Sequence, residues 1–307
     1  MTWKGLAIKP EATSYAREGE TMAAGDMILR PLRGFFRGRT MLVTGASSGI
    51  GYDTALMLGG LGVKTALLAR RRLLLDELAS AIRQQDGDAL VVAADVSRRD
   101  EVIDAVSHIL DEFGHIDILV NSAGILQPAA VETMDPRDLQ RMLDVNVLGT
   151  LHAIQAVLPT MRQAGSGNIV NIGSLAGRRG APPLGGYSAT KFALVGLTEA
   201  LRVELFGTGV HIALVMPGVV DTPMIRADGQ LESERRLPDM IPPMPVRWVT
   251  WAVIAALTLG LTEVDVPPGA AVAEKVAALF PGITDAALAI GNRLWDWAAS
   301  RRRQAEG

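Results

Sequence analysis

From residue 39 onward, short aliphatic runs alternate with longer amphipathic stretches. The runs fall at RTMLVT (39–44), KTALLA (64–69), ALVVAA (89–94), IDILVN (116–121), GNIVNI (167–172) and VHIALV (210–215), with a seventh at EVDVP (263–267). The first six are apolar on both faces, as strands of a parallel sheet covered by helices are. Between them, Arg72–Arg83, Arg99–Phe113 and Pro136–Met161 carry apolar residues at helical period. This alternation predicts an α/β fold: a doubly wound parallel sheet of about seven strands, with helices on both faces and right-handed crossovers. Residues 39–267 form one domain, preceded by an N-terminal extension (1–38) and followed by a helical C-terminal extension (268–307).

Composition then narrows the chemistry. The chain of 307 residues has no cysteine, which excludes disulfides, thiol catalysis and cysteine metal sites. Its four histidines (108, 115, 152, 211) are scattered, so no metal is expected. A net charge of -3 gives no reason to expect a nucleic-acid partner. WVTWAVIAALTLGL (248–261) is too short to span a bilayer and reads as a buried helix. The first 26 residues lack the apolar core of a secretory signal. A cytoplasmic protein is expected, with peripheral membrane contact left open.

The first strand runs into TGASSGIG (44–51), which places Gly45, Gly49 and Gly51 where strand turns to helix. A diphosphate approaching backbone amides at a helix N-terminus needs bare backbone there. The second strand ends ALLARRR: Ala69 offers no carboxylate for a ribose 2′-OH, and Arg70 follows directly. A guanidinium at that point suits a 2′-phosphate, so NADP(H) is favoured over NAD, while Arg71 or Arg72 opens a solvated helix. Asp95, after the third strand, either accepts from an adenine amino group or caps the helix beginning near residue 98.

The remaining motifs appear in a fixed order: DV (95–96), NSAG (121–124), Asn146 in DVNVLG, Ser174 in NIGS, YSATK (187–191) and PGVVDT (217–222). With the glycine turn they give the chain a resemblance to the short-chain dehydrogenase/reductase family, over roughly residues 39–267. Tyr187 and Lys191 share a helix face. Lys191 is one of five lysines in a chain that otherwise uses arginine. A free tyrosine titrates near 10, and a cation beside it favours the phenolate, so Lys191 is expected to lower the Tyr187 pKa while also reaching ribose hydroxyls. Ser174 donates to the substrate oxygen as charge develops on it. Asn is a poor residue for the interior of the helix that holds Asn146.

The resemblance implies a Rossmann-type dinucleotide-binding catalytic domain with Asn146, Ser174, Tyr187 and Lys191 as its active site. It implies that Asn146 distorts its helix and holds a water relaying protons to Lys191. The implied cofactor contacts are Gly45, Ser47, Ser48, Gly49, Ile50, Gly51, Arg70, Asp95, Val96, Asn121, Ala123, Gly124, Tyr187, Lys191, Pro217, Gly218, Val220 and Thr222. Thr222 would reach the nicotinamide carboxamide. Ser122 departs from the family's commoner Asn and would loosen a contact supporting the fourth strand.

The segment 223–246, with five prolines and Met224, Met240 and Met244, is where this fold selects substrate. Methionine adapts to irregular apolar shapes, so a lipophilic carbonyl or alcohol is expected as the small-molecule partner. Ile125, Leu126, Leu175 and residues 182–184 complete the walls. A steroid or fatty-alcohol dehydrogenase working in oxidation and a non-catalytic NADP-binding sensor are the alternatives, and a homo-oligomer is expected. The C-terminal tail, with Trp295, Trp297 and an arginine run, either packs on the domain or a sister subunit or lies with residues 27–39 on a membrane surface.

Overall fold

A computed structural model describes residues 30–180, 182–225, 242–287 and 289–291. Seven strands, β1 (Thr40–Thr44), β2 (Lys64–Ala69), β3 (Ala89–Ala93), β4 (Ile118–Asn121), β5 (Gly167–Ile172), β6 (Val210–Pro217) and β7 (Glu263–Val266), form one parallel sheet in the order β3-β2-β1-β4-β5-β6-β7. The order reverses between β1 and β4. A doubly wound sheet opens its ligand crevice there, beyond the carboxyl ends of the strands. Each expected strand is present, with ends shifted by no more than two residues.

Alternate residues of β1 pack into opposite layers. Met41 and Val43 face a cluster with Leu58 of α1 (Gly49–Gly60), Leu75 and Ile82 of α2 (Arg72–Arg83), and Val249 and Val253 of α7 (Val246–Leu259). Leu42 faces the other cluster, with Val102 and Ile109 of α3 (Arg99–Phe113) and Val157 and Met161 of α5 (Gly149–Ala164). The run 248–261 is thus the buried helix its length implied. The helix read over 136–161 is divided: α4 (Pro136–Leu143) passes through a π-helical turn at Asp144–Leu148 into α5. Two of the four catalytic candidates, Tyr187 and Lys191, ride on α6 (Gly185–Glu204).

Packing starts before the first strand. Residues 30–36 are helical, and Phe36 is wholly buried in the first cluster. After β7 comes α8 (Ala270–Leu279), and 281–287 are helical again. This extension exposes Val272, Val276, Leu279, Phe280, Ile283 and Ile290. The two ends leave opposite edges of the sheet. Arg37 beside Gly62 marks the amino edge of β1 and β2, whereas α8 follows the carboxyl end of β7. Residues 292–307, with Trp295, Trp297 and the arginine run, and residues 27–29 lie outside the described residues. Among the described residues no helix is long and apolar enough to cross a membrane.

Candidate active site

The glycine turn begins where β1 ends. Gly45 has φ +70, and a Cβ there would meet the Ala123 backbone at 2.7 Å. Thr44 fixes the same approach, because its Oγ1 accepts from the amides of Ser122 and Ala123, both at 3.2 Å. β1 and β4 are thereby locked at their carboxyl ends, and Ser122 keeps that bond through its own backbone. Gly45→Ala combines a left-handed backbone with a backbone clash. Its expected effect is a loss of several kcal/mol, on the order of 3, read as a lowered Tm together with lost dinucleotide binding. A native Tm with native affinity would count against this account of the turn.

Beyond the turn, α1 starts at Gly49 (φ +60), whose missing Cβ would stand 3.2 Å from Thr222 Cγ2. The first turn of α1 has no acidic residue, and its N-cap Ser48 makes no side-chain capping bond. Free amides at a helix N-terminus, bare backbone in front of them and the buried Thr222 across the crevice fit a dinucleotide diphosphate. Ile50 and Gly51 lie in this first turn of α1.

The hydroxyls of Ser47 and Ser48 are engaged from the other side. Arg71 Nη2 donates to both at 2.8 Å, and its Nε donates to Ser47 at 3.2 Å. Arg71, one of the two arginines expected to open a solvated helix, is the N-cap of α2 and is also bonded to the glycine turn. Arg70 leans away, 3.9 Å from a carboxylate oxygen of Asp95. Asp95 does not cap α3, whose N-cap is Arg98. It closes a local turn instead, accepting from the amide and hydroxyl of Ser97 at 3.0 and 2.8 Å. Val96 is buried beside it, and its carbonyl bonds His152 Nδ1 at 3.0 Å.

Asn146 sits in the π-helical turn and is almost wholly buried. Its Oδ1 accepts from the Ile125 amide at 2.8 Å, and its Nδ2 donates to the Ile125 carbonyl and to Thr190 Oγ1, both at 3.0 Å. Thr190 in turn donates to the Tyr187 carbonyl at 2.8 Å. Asn146 therefore pins the loop after β4 to the helix turn that carries Tyr187, and the helix is distorted where it does so. Beneath it, Asn121 donates to Asn171 and Asn171 to Thr198, each at 2.9 Å, joining β4, β5 and α6.

Tyr187 is pushed up to about 12, chiefly by burial, with a hydrogen bond to Ser174 pulling the other way. Lys191 is pushed down to about 8 by burial. Its ammonium lies 5.6 Å from the Tyr187 ring centre and donates to the Ile172 carbonyl at 2.9 Å. The expected lowering of the tyrosine by its lysine is corrected here. Desolvation favours the neutral form of each group, and the ammonium is engaged with a carbonyl rather than with the phenol oxygen. At neutral pH the pair is a protonated phenol beside an ammonium, which is a proton donor aligned with a positive charge.

Ser174 is buried and begins the 3-10 turn Leu175–Gly177. The PGVVDT segment runs beside it: Leu175 Cδ1 and Met244 Cε lie 3.4 and 3.3 Å from where a Cβ would stand on Gly218. Residues 226–241, including Met240, lie outside the described residues. The chain on either side of them is pinned, since the Met244 amide bonds the Val219 carbonyl at 2.8 Å and the Asp221 amide bonds the Met244 carbonyl at 2.9 Å. A bridge pairs Val220 with Met244. Met224 closes on Gly124, 3.8 Å from its missing Cβ. On the opposite wall, Ala129 bridges Leu184 and donates to the Pro183 carbonyl at 2.9 Å. A shallow cavity lined by Asn168, His211, Gly260 and Thr262 opens at the amino edge of the sheet, away from these groups.

The sequence does not single out Thr44 and Thr190, whose bonds hold the loop after β4 and the turn carrying Tyr187, and it marks Arg71 only as a candidate opener of a solvated helix. Thr44 and Thr190 lie inside motifs read for their neighbours. Arg71 stands in a run of three arginines that no local pattern separates.

The fold is a doubly wound α/β sheet, and one helix packed against it carries both Tyr187 and Lys191. The short chain dehydrogenase family model matches residues 39–232, and the chain belongs to that family. An uncharacterized oxidoreductase of Staphylococcus epidermidis is 36% identical over 234 residues, covering 75% of this chain and 97% of the relative. One of Staphylococcus saprophyticus is 42% identical over 189 residues, covering 61% and 80%. Among solved structures, 3-ketoacyl-(acyl-carrier-protein) reductase from Brucella melitensis, complexed with NADH, aligns with a TM-score of 0.69 at 29% identity, covering 76% of this chain and 99% of that one. A short chain dehydrogenase/reductase from Burkholderia phymatum in complex with NAD aligns with a TM-score of 0.73 at 24% identity, covering 81% and 96%. That last likeness bears on fold alone.

Proposed function

We propose that this protein is an NADP(H)-dependent oxidoreductase that interconverts an alcohol and a carbonyl on a lipophilic substrate. The observation that carries the reading is the Ser174–Tyr187–Lys191 cluster beyond the carboxyl end of β5, where Ser174 and Lys191 are buried, Tyr187 is half-buried and hydrogen-bonded to Ser174, and the Lys191 ammonium lies 5.6 Å from the phenol ring centre. A bound nicotinamide cofactor supplies or accepts the hydride. Tyr187 gives the proton to the carbonyl oxygen in reduction and takes it back in oxidation. Ser174 holds that oxygen by a hydrogen bond, and Lys191 keeps positive charge near the phenol and offers its remaining protons to ribose hydroxyls. A binding protein without turnover has no need of a serine bonded to the tyrosine. The walls are apolar and adaptable, with Leu175, Leu184, Met224 and Met244 exposed or half-buried around the mouth.

The choice of NADP(H) rests on charge. The solved relatives carry NAD or NADH in their crystals. Here Ala69 ends β2 without an acceptor, and Arg71 spans Ser47 and Ser48 on the turn. A 2′-phosphate would take the guanidinium and both hydroxyls, with Arg70 drawn from Asp95 as a second cation. Each charge-assisted bond contributes about 1.5–3 kcal/mol, or roughly one to two powers of ten in affinity. The test is a nicotinamide-fluorescence titration of NADPH and NADH against the native chain, Arg70→Ala, Arg71→Ala and Ala69→Asp. NADPH is expected to bind the native chain at least about tenfold more tightly than NADH. Arg71→Ala should weaken NADPH alone by about ten- to a hundredfold, Arg70→Ala less, and Ala69→Asp should turn preference toward NADH. Equal native affinities, or arginine variants that weaken both cofactors alike, would remove the NADP assignment. A cofactor-depletion screen over aldehydes, ketones and sterols then assigns the substrate class.

A further inference from the structure

Ser174 stands at the head of a short turn whose outer side is tied to the far end of the chain. The turn closes on itself: the Gly177 amide bonds the Ser174 carbonyl at 2.8 Å, the Arg178 amide bonds the Leu175 carbonyl at 2.9 Å, and Ser174 Oγ accepts from the Ala176 amide at 3.1 Å. Its inner side rests on α6, where a Cβ on Gly177 would stand 2.8 Å from the Lys191 carbonyl. The next two residues are both arginines, and each reaches outward. Arg178 pairs with Glu263, the first residue of β7, with both side chains about three-quarters buried. Arg179 pairs with Asp285 and donates to the Pro281 carbonyl at 3.4 Å, both in the C-terminal extension. Neither Glu263 nor Asp285 falls within the family-matched residues 39–232.

We infer that residues 263–287 are a positioning element for the catalytic serine, acting through Arg178 and Arg179. The turn is clamped between the backbone of Lys191 on one side and two ion pairs on the other. Small rotations of the turn move Ser174 Oγ relative to Tyr187, because Ser174 heads the turn and its hydroxyl is bonded both to the turn's own Ala176 amide and to Tyr187. Hydride and proton transfer require reacting atoms to stay close to one geometry, and a displacement of about 1 Å costs on the order of a hundredfold. The Arg178–Glu263 pair carries more of the effect, being the less exposed of the two. The Arg179–Asp285 pair is open to solvent, so alone it contributes little to stability. Its weight lies in fixing where the extension sits against the turn. The inference rests on the reading of Ser174 as the donor to the substrate oxygen.

The experiment is a double-mutant cycle on the full chain. Glu263→Gln, Asp285→Asn and their combination are made in the native background and in Ser174→Ala. Turnover is measured with NADPH and the most active carbonyl from the depletion panel, alongside NADPH affinity and Tm. In the native background the combined variant is expected to lose about tenfold in kcat, with the dissociation constant for NADPH unchanged. The charge-swapped pair Arg179→Glu with Asp285→Arg is expected to regain the activity that Arg179→Glu alone loses. In the Ser174→Ala background, already strongly impaired, the same tether changes should cost nothing further, because their target is gone. Tether variants with native kcat while Ser174→Ala is impaired would overturn the positioning role and leave the serine's role standing. A tenfold loss that persists in Ser174→Ala would overturn it as well, by showing a general structural effect. Full activity in Ser174→Ala itself would sink both readings.

Discussion

Tyr187→Phe is expected to bind NADPH as the native chain does and to turn over at least about a hundredfold more slowly, the usual scale for a lost general acid. The substitution deletes one hydroxyl and leaves the ring. The ring's environment is set by burial and by α6, so neither the glycine turn nor the Arg71 contact is disturbed. The phenol, pushed up to about 12, stays protonated across the whole working range, and the hydrogen bond from Ser174 is the interaction that opposes that shift. Phenylalanine offers the carbonyl oxygen no proton. Single-turnover kinetics with bound NADPH would show the native burst replaced by a slow phase, while equilibrium titration shows unchanged affinity. Turnover within a few-fold of native would sink the assignment of Tyr187 as the acid. Loss of NADPH binding would indicate a misfolded crevice, and Tyr187→His, which restores a titratable group, would then separate the two effects.

Much of this architecture is written locally in the chain. Most strands of the sheet are short runs apolar on both faces, and that requirement comes from the helices on either side, so the pattern survives without knowledge of partners. The ordered motifs also single out Gly45, Asn146, Ser174, Tyr187 and Lys191, Asn146 only through the family resemblance that those motifs carry. What escaped reading depends on contacts between distant segments. The resemblance implies that Asn146 distorts its helix, but the form of the distortion, a π-helical turn at Asp144–Leu148, interrupts no apolar period. It exists because Asn146 satisfies both backbone groups of Ile125, twenty-one residues earlier. The roles of Arg70 and Arg71 are decided by the separate positions of Asp95 and Ser47, which no run of arginines reveals. The reversed shift on Tyr187 has the same origin. Helical spacing puts Lys191 on the right face, but only the fold shows that burial outweighs the neighbouring charge and that the ammonium is bonded to the Ile172 carbonyl. Phe36 lies in a segment with too little pattern to be read as part of a core, yet it is wholly buried.

Lys191 should set the upper pH limit of the reductive reaction. Its ammonium is held down to about 8 from an ordinary 10.5, and the cause is burial. Below that value the side chain is charged, and above it the amine predominates. The phenol beside it remains protonated well past pH 10, so it contributes no limb in the same range. The value of kcat/KM for carbonyl reduction is therefore expected to be level through neutral pH and to fall about tenfold per unit above pH 8, as the positive charge that assists the departing proton is lost. Lys191→Arg keeps a charge that does not titrate below 12, so the limb should vanish. The level should also drop, because a planar fork cannot occupy the point from which the ammonium donates to Ile172. Lys191→Met should lose at least about a hundredfold at every pH and show no limb, the scale of a single missing electrostatic donor. Profiles from pH 6 to 10 at constant ionic strength distinguish the cases. A limb that stays near pH 8 in Lys191→Arg would mean that another group titrates there and that Lys191 does not govern the proton donor.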